Sequence, residues 1–295
     1  MSTTPVIDVQ RLNVSYGDFH AVKDLSLQIR KGELYALLGT NGAGKTSALE
    51  TVEGHRTATS GVVRVFGQSP RDRAAVRPRM GIMLQESGFS PDLTVRETVR
   101  LIGRLSQRVD HVDRVLGMVD LTRKSGTLVA QLSGGEKRRL DFATAAYGAP
   151  ELIFLDEPTT GLDIQSRDGL WDVIDRLRED GSTVVLTTHY LEEAQQRADR
   201  IGLMHQGTLR REGTVAELTR SLPAVISFSL PAASAPALPL PAEPGDGGTV
   251  RIETLDLQRD LHILLRWAQE HTVELRGLEA GPTRLDDVFR TIGTE

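Results

Sequence analysis

The stretch GTNGAGKT, Gly39 to Thr46, decides the fold. It follows ELYALLG (33–39), a near-continuous apolar run, and it leads into a helix-like segment. Its pattern is GxxxxGK[ST], in which glycines let the backbone curl until several N–H groups point at one centre. The helix beyond turns its positive N-terminal end toward the same centre. Such a cradle holds phosphate. Gly39, Thr40, Asn41, Gly42, Ala43, Gly44, Lys45, Thr46 and Ser47 are therefore the candidate phosphate-binding residues. Lys45 is expected to reach the β- and γ-phosphates, and Thr46 to hold Mg²⁺ through its hydroxyl. A solvated lysine on a glycine-rich turn would share the motif but not its strand–loop–helix setting. Taken alone, the loop indicates a nucleotide and nothing more specific.

A second segment, ELIFLDE (151–157), is an apolar strand ending in two acids. In an α/β sheet this puts Asp156 at the carboxyl edge, where ligands sit. Asp156 is expected to hold Mg²⁺ through water. Glu157 is expected to polarise the attacking water as a general base. Solvated acids at a strand end are common, and the phosphate loop elsewhere in the chain is what gives these two a role.

The rest of the chain fits a parallel sheet. VIDVQRLNV (6–14), DLSLQI (24–29), GVVRVFG (61–67), RMGIMLQ (79–85) and STVVLTTH (182–189) read as strands. The helical IQSRDGLWDVIDRLRED separates two buried strands, and that order implies parallel pairing under helices. Residues 86–150 turn helical, with a capping box at Thr94 and Glu97. RIGLMHQGTLRREG (200–213) reads as a hairpin turning at Gln206-Gly207. After residue 220 the composition breaks into proline, alanine and glycine, read as a linker over about 231–248. AVISFSL, TVRIET, DLQRDLHILLRWAQEH, TVELRGLEA and LDDVFRTIG around it suffice for a small α+β appendage over 221–295.

QLSGGEKRR (131–139) poses a problem of its own. Ser133 and Glu136 have capping-box spacing, yet the helix would open with Gly134 and Gly135, each costing about 1 kcal/mol relative to alanine. Capping alone does not explain two glycines. EKRR reads as a charged helix face, without a nucleic-acid role.

Phosphate loop, LSGGE and a strand ending in Asp-Glu, in that order, resemble the ATP-binding-cassette family over residues 6–220. The resemblance implies a P-loop NTPase fold, α/β, with a RecA-like core, an antiparallel β subdomain and a helical subdomain at 86–150. It implies ATP and Mg²⁺ as ligands. Tyr16 resembles the aromatic that stacks on adenine. Gln85 matches the glutamine that senses Mg²⁺ and a membrane partner, although Leu84 stands where the pattern has proline. Asp163, in TTGLD, and His189, in TTHYLEEA, match the D-loop aspartate and the switch histidine at the γ-phosphate. In that family two cassettes pack head to tail, with each ATP between the phosphate loop of one and LSGGE of the other. Gly134 and Gly135 would then let a helix N-terminus approach a γ-phosphate held by a second copy or a paralogous cassette, with Ser133 donating to it and Glu136 beside it.

The tail motif PTRLDDVF resembles drug-resistance-type ATPases. That resemblance implies a bacterial export ATPase, peripheral on the cytoplasmic face of the membrane. Its partner would be a separate ABC-2-type permease docked near Gln85 and residues 86–105, moving a drug, lipid or other amphiphile. A soluble cassette ATPase is the alternative, but the translation type carries two cassettes and the repair type a long coiled coil. An importing ATPase is a further alternative.

Bulk properties agree. The 295 residues make more than one small domain and fewer than three. The net charge of −5 leans away from a nucleic-acid surface, and the lack of cysteine excludes disulfides, zinc–cysteine sites and thiol nucleophiles. No run approaches the roughly 20 apolar residues of a membrane helix, and MSTTPVIDVQ is not expected to be a secretory signal.

Overall fold

The computed structural model describes residues 4–85, 88–220, 222–230, 237–245, 248–283 and 285–292. The chain divides into two compact units, Met1–Thr214 and Val215–Glu295. The first unit runs β1 (Ile7–Tyr16), β2 (Phe19–Ile29), β3 (Leu34–Gly39), α1 (Lys45–Val52), β4 (Ser60–Val65), α2 (Arg73–Val76) and β5 (Met80–Met83). It continues with α3 (Val95–Leu105), α4 (Val112–Met118), α5 (Gly134–Ala146), β6 (Leu152–Asp156), α6 (Ile164–Glu179), β7 (Thr183–Thr187), α7 (Leu191–Arg197), β8 (Arg200–His205) and β9 (Thr208–Gly213).

Two sheets organise this unit. The larger has the order β5-β6-β7-β3-β8-β9, all parallel except the closing β8–β9 hairpin. β3 and β7 are buried on both faces, which is why their sequences are apolar without alternation. The smaller sheet is antiparallel, in the order β2-β1-β4. Here the alternation survives, with Ile7, Val9, Leu12 and Val14 buried. A register shift between Val9 and Leu12 keeps both pairs on the core face, with Arg11 at φ 47°. Tyr35 on β3 donates to Glu212 on β9 at 3.1 Å, and Arg200 on β8 bridges Glu212 and Glu33.

The helical segment opens at the expected cap. Glu97 N–H donates to Thr94 Oγ1 (3.2 Å), and Thr94 N–H donates to Glu97 Oε2 (2.9 Å). α5 is buried along most of its length and packs on β5, α3 and α4. Its approach to β5 is close. A Cβ at Gly81 would lie 2.0 Å from the carbonyl oxygen of Ala145, so β5 carries glycine there. The strand expected over 79–85 shortens to β5, and residues 86–87 lie outside the described residues.

The second unit contains α8 (Val215–Thr219), β10 (Ala224–Ser229), β11 (Glu243–Pro244), β12 (Thr249–Thr254), α9 (Leu257–Glu270), β13 (Arg276–Gly281) and α10 (Leu285–Ile292). Its antiparallel sheet has the order β11-β12-β10-β13, and Ile226, Phe228, Ile252, Leu264, Trp267 and Ala268 form its core. The division falls before Val215 rather than at residue 220, because α8 packs on α10. The described part of the stretch read as a linker is not free chain. Leu238 and Leu240 pack on that core, and Glu243–Pro244 pair with β12. Residues 231–236 and 246–247 lie outside the described residues. No helix among the described residues is long and apolar enough to cross a membrane.

Phe154, 1% exposed on β6, fills the core two residues before Asp156. Phe154→Ala is expected to cost about 3–5 kcal/mol, read as a lowered urea midpoint of the first unit.

Candidate functional site

The strand order sets the site. The carboxyl ends of β5, β6, β7 and β3 lie side by side. Gln85 follows the first, Asp156 and Glu157 end the second, His189 follows the third, and the phosphate loop follows the fourth. Residues far apart in sequence thus share one sheet edge, where open α/β sheets bind ligands.

The loop is shaped by contact with β2. Gly44 precedes α1 at φ 96°, and a Cβ there would lie 2.3 Å from the carbonyl oxygen of Ala21. Only glycine satisfies both demands. No side chain caps α1, so its first-turn amides keep no partner from a cap. Lys45 Nζ donates to the carbonyls of Gly39 (2.6 Å) and Thr40 (3.2 Å). Burial pulls its ammonium pKa below the ordinary lysine value, and Glu157 and Asp156 oppose that shift.

A cleft of about 470 Å³ is lined by Tyr16, Phe19, Ala21, Asn41 to Ser47, Gln85, Asp156 and Glu157. Tyr16 Oη lies 3.0 Å from Ser47 Oγ, and the Arg56 guanidinium sits 4.3 Å from the centre of its ring. Arg56 is itself held by Glu50 at 2.8 Å. Phe19 and Arg56 were not legible as site residues. Phe19 comes to the cleft through the tight β1–β2 turn, and Arg56 reaches Tyr16 only once α1 has folded.

The acids are firmly held. Thr187 Oγ1 donates to Asp156 Oδ1. Glu157 has φ 52°, in the left-handed region, and its N–H donates to Thr187 O at 3.0 Å. Its Oε2 accepts from His189 N–H (3.3 Å) and Thr160 Oγ1 (3.3 Å), and lies 2.7 Å from His189 Nδ1. Asp156 and Thr46 supply the oxygens that Mg²⁺ prefers, and Gln85 adds an amide oxygen on the same cleft.

The remaining candidates lie outside the cleft lining. Asp163 caps α6 by accepting from Ser166 N–H (2.8 Å) and Ser166 Oγ (3.1 Å). Ser133 and Glu136 do form a capping box, with Glu136 N–H donating to Ser133 Oγ and Ser133 N–H donating to Glu136 Oε2. The Ser133 hydroxyl accepts there and keeps its hydrogen for another acceptor. A Cβ at Gly134 would meet nothing within 4 Å, and one at Gly135 would make only ordinary contacts, 3.5 Å or more away. This chain itself does not demand glycine at either position.

EKRR is not a uniformly solvated face. Arg138 is 8% exposed. Its Nη1 donates to the carbonyls of Leu84 and Gln85, both at 2.9 Å, and its Nη2 donates to the carbonyls of Asp156 and Glu157. Arg139 donates to the carbonyls of Val119 and Asp120. The available signal was helical spacing, since Arg138 shares a stripe with buried Phe142 and Ala145.

Residues 22–160 match the ABC transporter family, and residues 224–283 match the ABC transporter domain-containing protein-like, C-terminal domain family. The Nod factor export ATP-binding protein I of Burkholderia lata is 38% identical over 73% of this chain and 73% of its own length. The daunorubicin resistance ATP-binding protein DrrA3 of Streptomyces coeruleorubidus is 39% identical over 72% of this chain and 69% of its own. Among solved structures, a dimeric ATP-binding cassette in a post-hydrolysis state with ADP and Pi bound is 26% identical. It covers 70% of this chain and 98% of its own, with a TM-score of 0.65. An ATP-binding subunit of an ABC transporter gives a TM-score of 0.69 at 24% identity, covering 73% of this chain and 92% of its own. The chain belongs to the ATP-binding-cassette transporter family, as an ATP-hydrolysing subunit.

Proposed function

We propose that this subunit powers export of a drug, lipid or other amphiphile through a separate ABC-2-type permease, from the cytoplasmic face of a bacterial membrane. The observation that carries the site reading is the single cleft edge where Lys45, Asp156 and Glu157 meet, with His189 on the Glu157 carboxylate. Export is supported by the names of the relatives, Nod factor export and daunorubicin resistance. Docking on residues 86–105 is supported by Leu101 and Leu105, which α3 exposes at 45% and 70%.

The uncapped start of α1 and the loop amides bind the β- and γ-phosphates, and Lys45 exchanges its loop carbonyls for phosphate oxygens. Tyr16 stacks on the adenine. Thr46, Asp156 and Gln85 would hold Mg²⁺, which when bound neutralises phosphate charge. Glu157 takes a proton from water as the water oxygen bonds to the γ-phosphorus and the bridging oxygen leaves with ADP. His189 orients that carboxylate and reaches the γ-phosphate. Ser133, Gly134 and Gly135 of a second cassette close over the same nucleotide, and Asp163 lies near that junction. The open space beside Gly134 supports this approach.

Glu157→Gln is expected to slow ATP turnover by about a hundredfold or more while ATP still binds and the dimer stays closed. Turnover above about a tenth of normal removes Glu157 from the base role. Lys45→Ala is expected to weaken ATP binding by about tenfold or more in equilibrium titration. The partner is tested by capturing the tagged chain from detergent-solubilised native membranes. A stoichiometric multi-span protein is expected, and a chain that stays with the aqueous fraction, alone or with ribosomes or DNA, overturns the export reading.

A further inference from the structure

Arg138 makes no contact that the ATP-binding role of LSGGE requires, yet it is buried in the middle of the site's frame. It lies on the first turns of α5, two residues after Glu136. One end of its fork holds the Leu84 and Gln85 carbonyls, and the other holds the Asp156 and Glu157 carbonyls. Three segments therefore meet on one planar cation: the signature helix, the Gln85 segment and the catalytic strand end. A guanidinium can serve diverging acceptors in a fixed plane, whereas an ammonium is a point donor.

The Glu157 backbone shows why this matters. A non-glycine residue at φ 52° sits in a sparsely populated region and stays there only if its surroundings impose it. The Glu157 peptide is pinned on both sides, its N–H by the Thr187 carbonyl and its C=O by Arg138. That backbone conformation aims the carboxylate at His189.

We infer that Arg138 is a positioning residue for hydrolysis, locking Glu157 in its productive conformation and tying that conformation to the position of α5 and of Gln85. A shift of α5, which carries LSGGE, pulls on the Gln85 segment and on Glu157 through the same side chain. The inference rests on the assignment of Glu157 as the base.

The test uses the full chain in its native membrane complex, comparing wild type, Arg138→Lys, Arg138→Gln, Glu157→Gln and the Arg138→Lys/Glu157→Gln pair. Arg138→Lys is expected to lower kcat by about 10- to 100-fold with KM for ATP and equilibrium ATP binding changed by less than about threefold. In single turnover, adding Arg138→Lys to Glu157→Gln is expected to slow the reaction no further, since both act through one carboxylate. A general structural role would instead lower binding and kcat together and leave the two losses multiplicative, and that result overturns the inference. So does a kcat within about twofold of wild type in Arg138→Lys and Arg138→Gln. If Arg138→Gln does not fold, Arg138→Lys decides, because it keeps the charge and most of the stem. Normal turnover in Arg138→Lys beside a dead Glu157→Gln removes the Arg138 role alone. Normal turnover in Glu157→Gln removes the base assignment beneath it.

Discussion

The bare N-terminus of α1 is the constraint on which the site depends. Its first-turn amides must be spared by the chain so that an anion can take them, and the loop must still be held in place. The structure meets both demands through Gly44, whose left-handed backbone presses on Ala21 without a side chain. A cap of the kind that closes α3, α5 and α6 would satisfy the helix and consume amides the phosphate needs. The missing cap on α1 fits the phosphate role proposed for it, and packing against Ala21 by itself accounts for Gly44.

The parallel sheet then decides what faces that helix end. β3 lies between β7 and β8, and β7 lies next to β6. Each strand delivers its chemistry at its carboxyl end, so lysine, histidine and carboxylates arrive on one edge. The acids depress nothing by themselves in isolation; what they do is partly offset the burial that lowers the Lys45 ammonium pKa. Lys45 and the carboxylates therefore share one electrostatic setting, which a phosphate would join.

Much of this was legible along the chain. The phosphate loop, the Asp156-Glu157 strand end, the Thr94 and Ser133 caps and nearly every strand of the first unit have local causes. Glycine spacing, burial on two faces and cap chemistry each act within a few residues. What was not legible depended on distant segments meeting. Arg138 looked like part of a solvated face because its four carbonyl acceptors come from residues 84–85 and 156–157. Residues 237–245 looked like linker because proline-rich composition does not reveal Leu238 and Leu240 landing on an apolar core.

The amino-acid order alone therefore pointed to the family of the fold, through the resemblance its motifs carry, and to Gly39–Thr46 as the candidate phosphate loop, through glycine spacing and a strand–loop–helix setting that are settled at short range. It also exposed the puzzle of Gly134 and Gly135 as a conflict with helix propensity. Only the tertiary structure decided that Gly134 faces open space and that Gly135 has room for a Cβ, that Glu157 holds a left-handed backbone, and that Arg138 is buried. The physical reason is range. Caps and turns are settled by neighbours in sequence, whereas burial of a charge and the pinning of a strained peptide need partners that only the folded sheet brings together.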